Sequence, residues 1–388
     1  MTTIGGGLAQ PVGAGLITAL VGFTSSFAVV LTGLRAVGAT PSEAASGLFA
    51  LCVTQAIGMM ALSRRYRMPI TLAWSTPGAA LLAGTGVVDG GWPAAVGAFV
   101  VVGVLVLATG LWGRLGRLVA GIPTSLAQAM LAGVLLPLCL APITALQTSP
   151  AAVIPVVLVW LVLTRFAPRW AVPAAFAAAA VVIAVSLVRS GYQVAVSDLV
   201  PRLELVVPQW SWQALIGIAI PLYIVTMASQ NIPGTAVLSS YGYRVPWRAA
   251  MTVTGVGTVL GAPAGGHAIN LAAITAALAA SPSAHPDRDR RWIAAFVAGA
   301  AYVFLALASA ALVVLVAAAP SGVVETVAGL ALLGTLGAAL VGALRGDSDR
   351  EAALLTFLVA ASGVAVFGIG SAFWALVVGL VVRVMLRR

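Results

Sequence analysis

The sequence predicts an all-α polytopic membrane protein of about fourteen transmembrane segments arranged as a 7+7 inverted repeat. Three observations lead to the spans, a composition starved of charge, apolar runs of about twenty residues recurring from end to end and a one-sided distribution of arginine, and an echo between the two halves leads to the repeat.

Of the 388 residues, 61% are hydrophobic and only 8% charged, and the mean hydropathy is +1.09. A soluble domain carries roughly a quarter charged residues, so this chain cannot cover a water-facing surface, and its main solvent is lipid. Lipid satisfies no backbone hydrogen bonds, which makes helices the expected form. The short alternating segments of a β-barrel are not seen. A net charge of +10 in a soluble protein would suggest nucleic acid. Here it reports orientation, and no nucleic-acid partner is expected. Cys52 and Cys139 lie in apolar runs and are expected to be free buried thiols. The first ten residues carry no charge and no cleavage pattern follows, so no cleavable signal is expected.

The apolar segments fall at 12–34, 43–62, 69–86, 92–112, 119–140, 150–166, 171–189, 213–237, 248–262, 264–281, 291–318, 320–344, 351–368 and 371–386. Arginine tests this count, because all twenty basic residues are Arg. With the loops numbered alternately, seventeen arginines fall on the side of the N-terminus and only Arg35, Arg189 and Arg202 on the other. A miscount by one span would scramble that bias. The positive-inside rule then places both termini in the cytoplasm of a bacterial-type inner membrane. Trp92, Trp112, Trp170, Trp212, Trp247 and Trp292 lie near segment ends, as an interfacial belt requires.

The two halves echo each other. LVAGIP at 118–123 matches LVAAAP at 315–320, a polar residue follows each proline by five positions (Gln128, Glu325), and Ala132-Gly133 corresponds to Ala328-Gly329. Segments 5 and 12 are thus candidate repeat partners seven spans apart, with chance similarity of short Ala/Leu/Val stretches as the alternative, and an odd number of spans would invert the second copy. The expected division is 1–190 for the first repeat, 191–212 for an external connector and 213–388 for the second.

Segments 3 and 10, also seven apart, are interrupted. Segment 3 carries Ser75-Thr76-Pro77-Gly78, a helix-start signature inside the membrane. Segment 10 is Gly/Pro-rich up to His267 and then turns into a good helix. Both read as an extended strand followed by a half-helix. Paired interruptions of this kind point to a transporter site, where half-helix N-termini present free N–H groups to an anion. Segment 8 adds Gln230 and Asn231, adjacent amides in an apolar helix, which serve either a ligand or an interhelical hydrogen bond. His267, whose side chain titrates nearest neutrality, is a proton acceptor or a structural imidazole. Glu325 either carries a coupling proton or sits at the surface after the Pro320 helix start. Trp74 in the segment 3 break and Phe27 beside Thr24-Ser25-Ser26 are candidates to stack on a ring.

SQNIPG at 229–234, GGHAINLAAITAAL at 265–278 and ITLAWSTPGAALL at 70–82 resemble the benzoate:proton symporter family over nearly the whole chain. That family is related in architecture to nucleobase and sulfate permeases. The resemblance implies a core domain built on segments 1, 3, 8 and 10, a gate domain holding segments 5 and 12, and frequent homodimers. Nucleobase carriers place glutamates on segments 8 and 10. Here those neighbourhoods hold Gln230-Asn231 and His267 with Asn270, which suits a substrate that is itself an anion.

The expected function is therefore import of benzoate or a similar aromatic carboxylate with protons by alternating access. The carboxylate is expected between the half-helix starts near Thr76 and Asn270, hydrogen-bonded by Ser75, Thr76, Gln230 and Asn231, with Trp74 and Phe27 against the ring and His267 or Glu325 taking the proton. The alternatives are a nucleobase or inorganic-anion carrier on the same fold, or an anion channel, although no periodic polar pore lining is visible. No HExxH or CxxC motif and no Lys for a Ser–Lys dyad is present, so neither an enzyme nor a metal or other cofactor is expected.

Overall fold

The structure, a computed structural model, describes residues 7–190, 199–345 and 349–386. Part of the expected connector, 191–198, lies outside the described residues.

The first crossing, Ala9–Ala36, is the single span expected, but it is broken into two helices, α1 (Ala9–Thr24) and α2 (Phe27–Ala36). Hydroxyls explain the break: Thr24 Oγ1 donates to the Leu20 carbonyl at 2.7 Å and Ser25 Oγ to the Gly22 carbonyl at 3.0 Å, competing with the helix ladder. Helix α3 (Pro41–Tyr66) opens with a capping box, in which Glu43 accepts from the Thr40 N–H at 2.8 Å and Thr40 Oγ1 accepts from the Glu43 N–H at 3.3 Å. Strand β1 (Leu72–Trp74) and the half-helix α4 (Thr76–Thr85) follow. Next come α5 (Gly91–Leu111), the short α6 (Gly113–Ala120), α7 (Thr124–Thr148), α8 (Pro150–Phe166) and α9 (Ala171–Ser190).

In the second half α10 (Trp212–Ala214), α11 (Ile220–Thr226) and α12 (Ile232–Ser240) join through π-helical turns at Leu215–Ala219 and Met227–Asn231 into one 29-residue span. The chain continues through α13 (Trp247–Gly261), strand β2 (Ile269–Leu271) and the half-helix α14 (Ile274–Ala280). It ends with α15 (Trp292–Leu307), α16 (Ser309–Ala317), α17 (Val323–Leu344), α18 (Arg350–Ala361) and α19 (Ser371–Leu386). The expected segment 13 stops short at Ala361, because Gly363 at φ 65° and Gly368 at φ 73° turn the chain into a loop. Among the described residues, eight helices are long and apolar enough to cross a bilayer.

The helices sort into two groups. In the core domain α3 lies against α15, α5 against α13, α2 against α4 and α1 against α15. In the gate domain α7 lies between α17 and α18, α8 lies along α9, and α19 closes on α18. The glycines of the two Ala-Gly pairs sit at close helix contacts: a Cβ on Gly133 would stand 2.5 Å from the Phe357 carbonyl of α18, and one on Gly329 would stand 2.6 Å from Pro142 of α7.

Loop contacts agree with the alternation read from arginine. Gln10 donates to the Ser283 carbonyl at 3.2 Å, Arg67 lies over Trp292 at 4.5 Å, and Tyr243 donates to the Arg288 carbonyl at 2.9 Å, so the N-terminus and three even-numbered turns share one face. On the other face the connector donates from the Val206 N–H to Pro263 at 2.8 Å and from the Gln209 N–H to Pro93 at 3.0 Å.

At the centre β1 and β2 pair antiparallel, with Leu72 opposite Leu271, Ala73 opposite Asn270 and Trp74 opposite Ile269. Three residues each cannot satisfy themselves, and side chains complete the count. Thr258 Oγ1 accepts from the Ile269 N–H at 3.1 Å, and Asn231 Oδ1 accepts from the Leu271 N–H at 2.9 Å. Ser75 Oγ accepts from the Gly78 N–H at 3.2 Å, capping α4, and is hydrogen-bonded to Thr226 Oγ1 at 2.7 Å. Ser75→Ala removes both bonds in a buried place. It is expected to lower stability by about 1–2 kcal/mol, read as an earlier thermal unfolding transition of the detergent-solubilised protein. Gly133→Leu is expected to cost about 1–3 kcal/mol in the same assay by forcing α18 off α7.

Candidate functional site

The half-helices α4 and α14 start at the crossing and run away from it in opposite senses, and two cavities open beside their first residues. The smaller, of about 240 Å³, is bordered by the α1–α2 break, β1, the start of α4, Gln230, the start of α14, and by α9 and α17 of the gate. The larger, of about 620 Å³, runs from Gln230 between α7 and α17 toward Arg345 and Asp349.

Three predicted site residues border the smaller cavity: Trp74, Thr76 and Gln230. Trp74 is fixed in place, its Nε1 donating to Ser26 Oγ at 2.8 Å and its ring meeting Phe23 and Tyr302 edge-on at 5.6 Å and 5.9 Å. Gln230 lies in a π-helical turn, a distortion frequent at functional sites.

The other predicted residues stand one layer behind. Ser75 is engaged as cap and bridge to Thr226. Asn231 holds β2 through Leu271, its Nδ2 facing the Met227 sulfur at 3.2 Å. Asn270 is buried within β2. Oriented so that each atom meets a complementary neighbour, its amide accepts from the Ser75 N–H at 3.0 Å and donates to the Leu271 carbonyl at 2.9 Å. These three amides and hydroxyls build the crossing. Phe27 is buried, stacked on Phe23 at 5.4 Å and edge-on to Phe176 at 4.7 Å, and does not line the cavity. His267 is fully buried ahead of β2, 6.3 Å from the Phe99 ring, with no hydrogen-bond partner described for either ring nitrogen, and it borders neither cavity. Glu325 stands exposed in the first turn of α17, outside both cavities.

Several lining residues escape the sequence reading. Ser25 and Ser26 line the cavity because the first span breaks there. The Thr24-Ser25-Ser26 run was the available signal. Arg169, between α8 and α9, is the one ionisable group among the residues lining the smaller cavity. Nothing in its loop sequence marks it. Gln128 and Thr335 of the gate, with Ser229 of the core, line the larger cavity. The smaller cavity therefore offers a guanidinium, an amide, five hydroxyl-bearing residues in Ser25, Ser26, Thr76, Thr275 and Thr335, and an indole wall, with no carboxylate among its described lining residues. That lining accepts an anion with an apolar body and repels none of its charge.

Comparison with known proteins gives the family. The sequence profile of the BenE family, described as benzoate membrane transport protein, matches residues 8–385. The inner membrane protein YdcO of Escherichia coli (strain K12) is 39% identical over 376 residues, 96% of this chain and 95% of its own length. A benzoate membrane transport protein of Acinetobacter baylyi is 30% identical over 371 residues, 95% of this chain and 92% of its own. Among solved structures, the transmembrane domain of a cyanobacterium bicarbonate transporter, BicA, is similar with a TM-score of 0.60 at 18% identity, covering 91% of this chain and 97% of that one. SLC26A9 is similar with a TM-score of 0.65 at 14% identity, covering 99% of this chain and 66% of that one. At such identities the structural likeness speaks for the fold, a 7+7 inverted repeat with core and gate domains. Matched by the family profile over nearly its whole length, the chain belongs to the benzoate membrane transport protein family.

Proposed function

We propose that this membrane transport protein moves benzoate or a similar aromatic carboxylate together with protons by alternating access of core and gate. The observation that carries the reading is the smaller cavity. It lies against the starts of two half-helices, Arg169 is its one ionisable lining residue, and Trp74 supplies an aromatic wall. A carboxylate finds charge-assisted donors there, and a ring finds the indole face.

In this reading Thr76 and Gln230 bind the carboxylate directly, and Arg169 supplies long-range attraction from the gate. Ser75, Asn231 and Asn270 act through the geometry of the crossing. Phe27 backs the aromatic wall. His267 or Glu325 carries the proton. His267 is the first to test, because its buried imidazole belongs to the segment that must stay in register with the substrate. The two repeats correspond to 1–190 and 213–388, both termini face the cytoplasm of a bacterial inner membrane, and the working unit is a homodimer.

The test is uptake of labelled benzoate into proteoliposomes with and without an inward proton gradient. Gradient-stimulated accumulation, competed by substituted benzoates and not by uracil, sulfate or bicarbonate, is the expected result. Competition by bicarbonate or sulfate alone would replace the aromatic acid with an inorganic anion. Gln230→Ala is expected to raise the half-saturating benzoate concentration about tenfold, the loss of one hydrogen bond to a charged group. His267→Gln is expected to abolish stimulation by the gradient while leaving gradient-free benzoate exchange. An unchanged pH dependence would move the proton to Glu325.

A further inference from the structure

The proposed function uses the smaller cavity and leaves the larger one, about 620 Å³, without a role. Gln230, Ala273 and Thr335 border both spaces and so form the neck between them, two residues from the core and one from the gate.

Beyond the neck the chemistry is again that of a carboxylate site. Ser229 Oγ is buried at the cavity edge with no hydrogen-bond partner described. A buried hydroxyl without a partner is costly, and a ligand group that reached it would relieve that cost. Facing it from the gate are Gln128 of α7 and Thr335 of α17. Thr326, on the same helix as Thr335, turns its hydroxyl back to the Gly322 carbonyl at 2.6 Å, and no such bond is described for Thr335. Arg345 stands farther out along the same lining. The one acid of the cavity wall, Asp349, is held by Arg383 Nε at 2.8 Å and accepts from Ser125 Oγ at 3.3 Å, so its charge is paired.

We infer that the larger cavity is a second carboxylate-binding subsite, formed by Ser229 of the core with Gln128 and Thr335 of the gate, that holds the aromatic acid between the neck and the arginine-rich face. The inference rests on the proposed function. The donors come from both domains, so the subsite exists only while core and gate keep this arrangement. Removing it alters affinity from one face of the membrane and leaves the other face unchanged.

The experiment measures the half-saturating benzoate concentration from each face separately, in proteoliposomes whose sidedness is established by labelling with a membrane-impermeant reagent. Gln128→Leu and Ser229→Ala are each expected to raise that concentration about fivefold from the arginine-rich face and to leave it unaltered from the opposite face. Ser229→Ala removes a single oxygen and carries the test if Gln128→Leu fails to fold. An equal change from both faces, or none from either, overturns the subsite while benzoate transport by the unsubstituted protein stands. An unsubstituted protein that moves no benzoate overturns both this inference and the substrate assignment.

Discussion

A pair of three-residue strands meeting inside an apolar helix bundle is the constraint on which the rest of the architecture depends. Extended backbone in lipid leaves donors and acceptors without water, at several kcal/mol for each unsatisfied group. The strands answer part of this by pairing with each other. The remainder is met by polar side chains brought from elsewhere: Thr258 from α13, Asn231 from the π-helical turn of segment 8, and Ser75 at the start of α4. Each of these positions would look anomalous in an ordinary spanning helix. Together they allow two helices to begin in the hydrocarbon, which is what brings free N–H groups and a partial positive charge to the site.

The same constraint explains which parts of the site were legible in the sequence. Ser75-Thr76-Pro77 and the Gly/Pro run before His267 announced interrupted spans, because a helix start has a chemical signature wherever it occurs. Gln230 and Asn231 stood out because amides are rare in apolar helices. The sequence could not say which of the two faces substrate. Adjacent residues on a helix do not share a face, and here Gln230 meets the cavity while Asn231 reaches β2. Ser75 and Asn270 are likewise builders of the crossing, a distinction that only the partner atoms reveal.

The gate side was nearly silent. Gln128, Thr335 and Arg169 reach the cavities through helix packing between segments far apart in the chain, and no local pattern encodes that. The span break at Ser25-Ser26 was hidden for a different reason: hydroxyls that bond back to the preceding turn are compatible with a continuous helix until tertiary contacts fix the bend. The fold class was far more readable, since a helical membrane architecture follows from hydropathy along the whole sequence rather than from any one contact.

The hydrogen bonds that hold the crossing together all begin and end within the core: Asn231 with Leu271, Thr258 with Ile269, Ser75 with Thr226, Trp74 with Ser26. The ion pair of Asp349 with Arg383 begins and ends within the gate. One contact between the two bodies is of another kind: the rings of Phe27 and Phe176 meet edge to face at 4.7 Å. Such contacts have shape but little direction, and interlocked apolar surfaces prefer discrete registers to gradual displacement. In the proposed alternating access, an interface of interlocked rings would therefore step between separate seatings rather than glide.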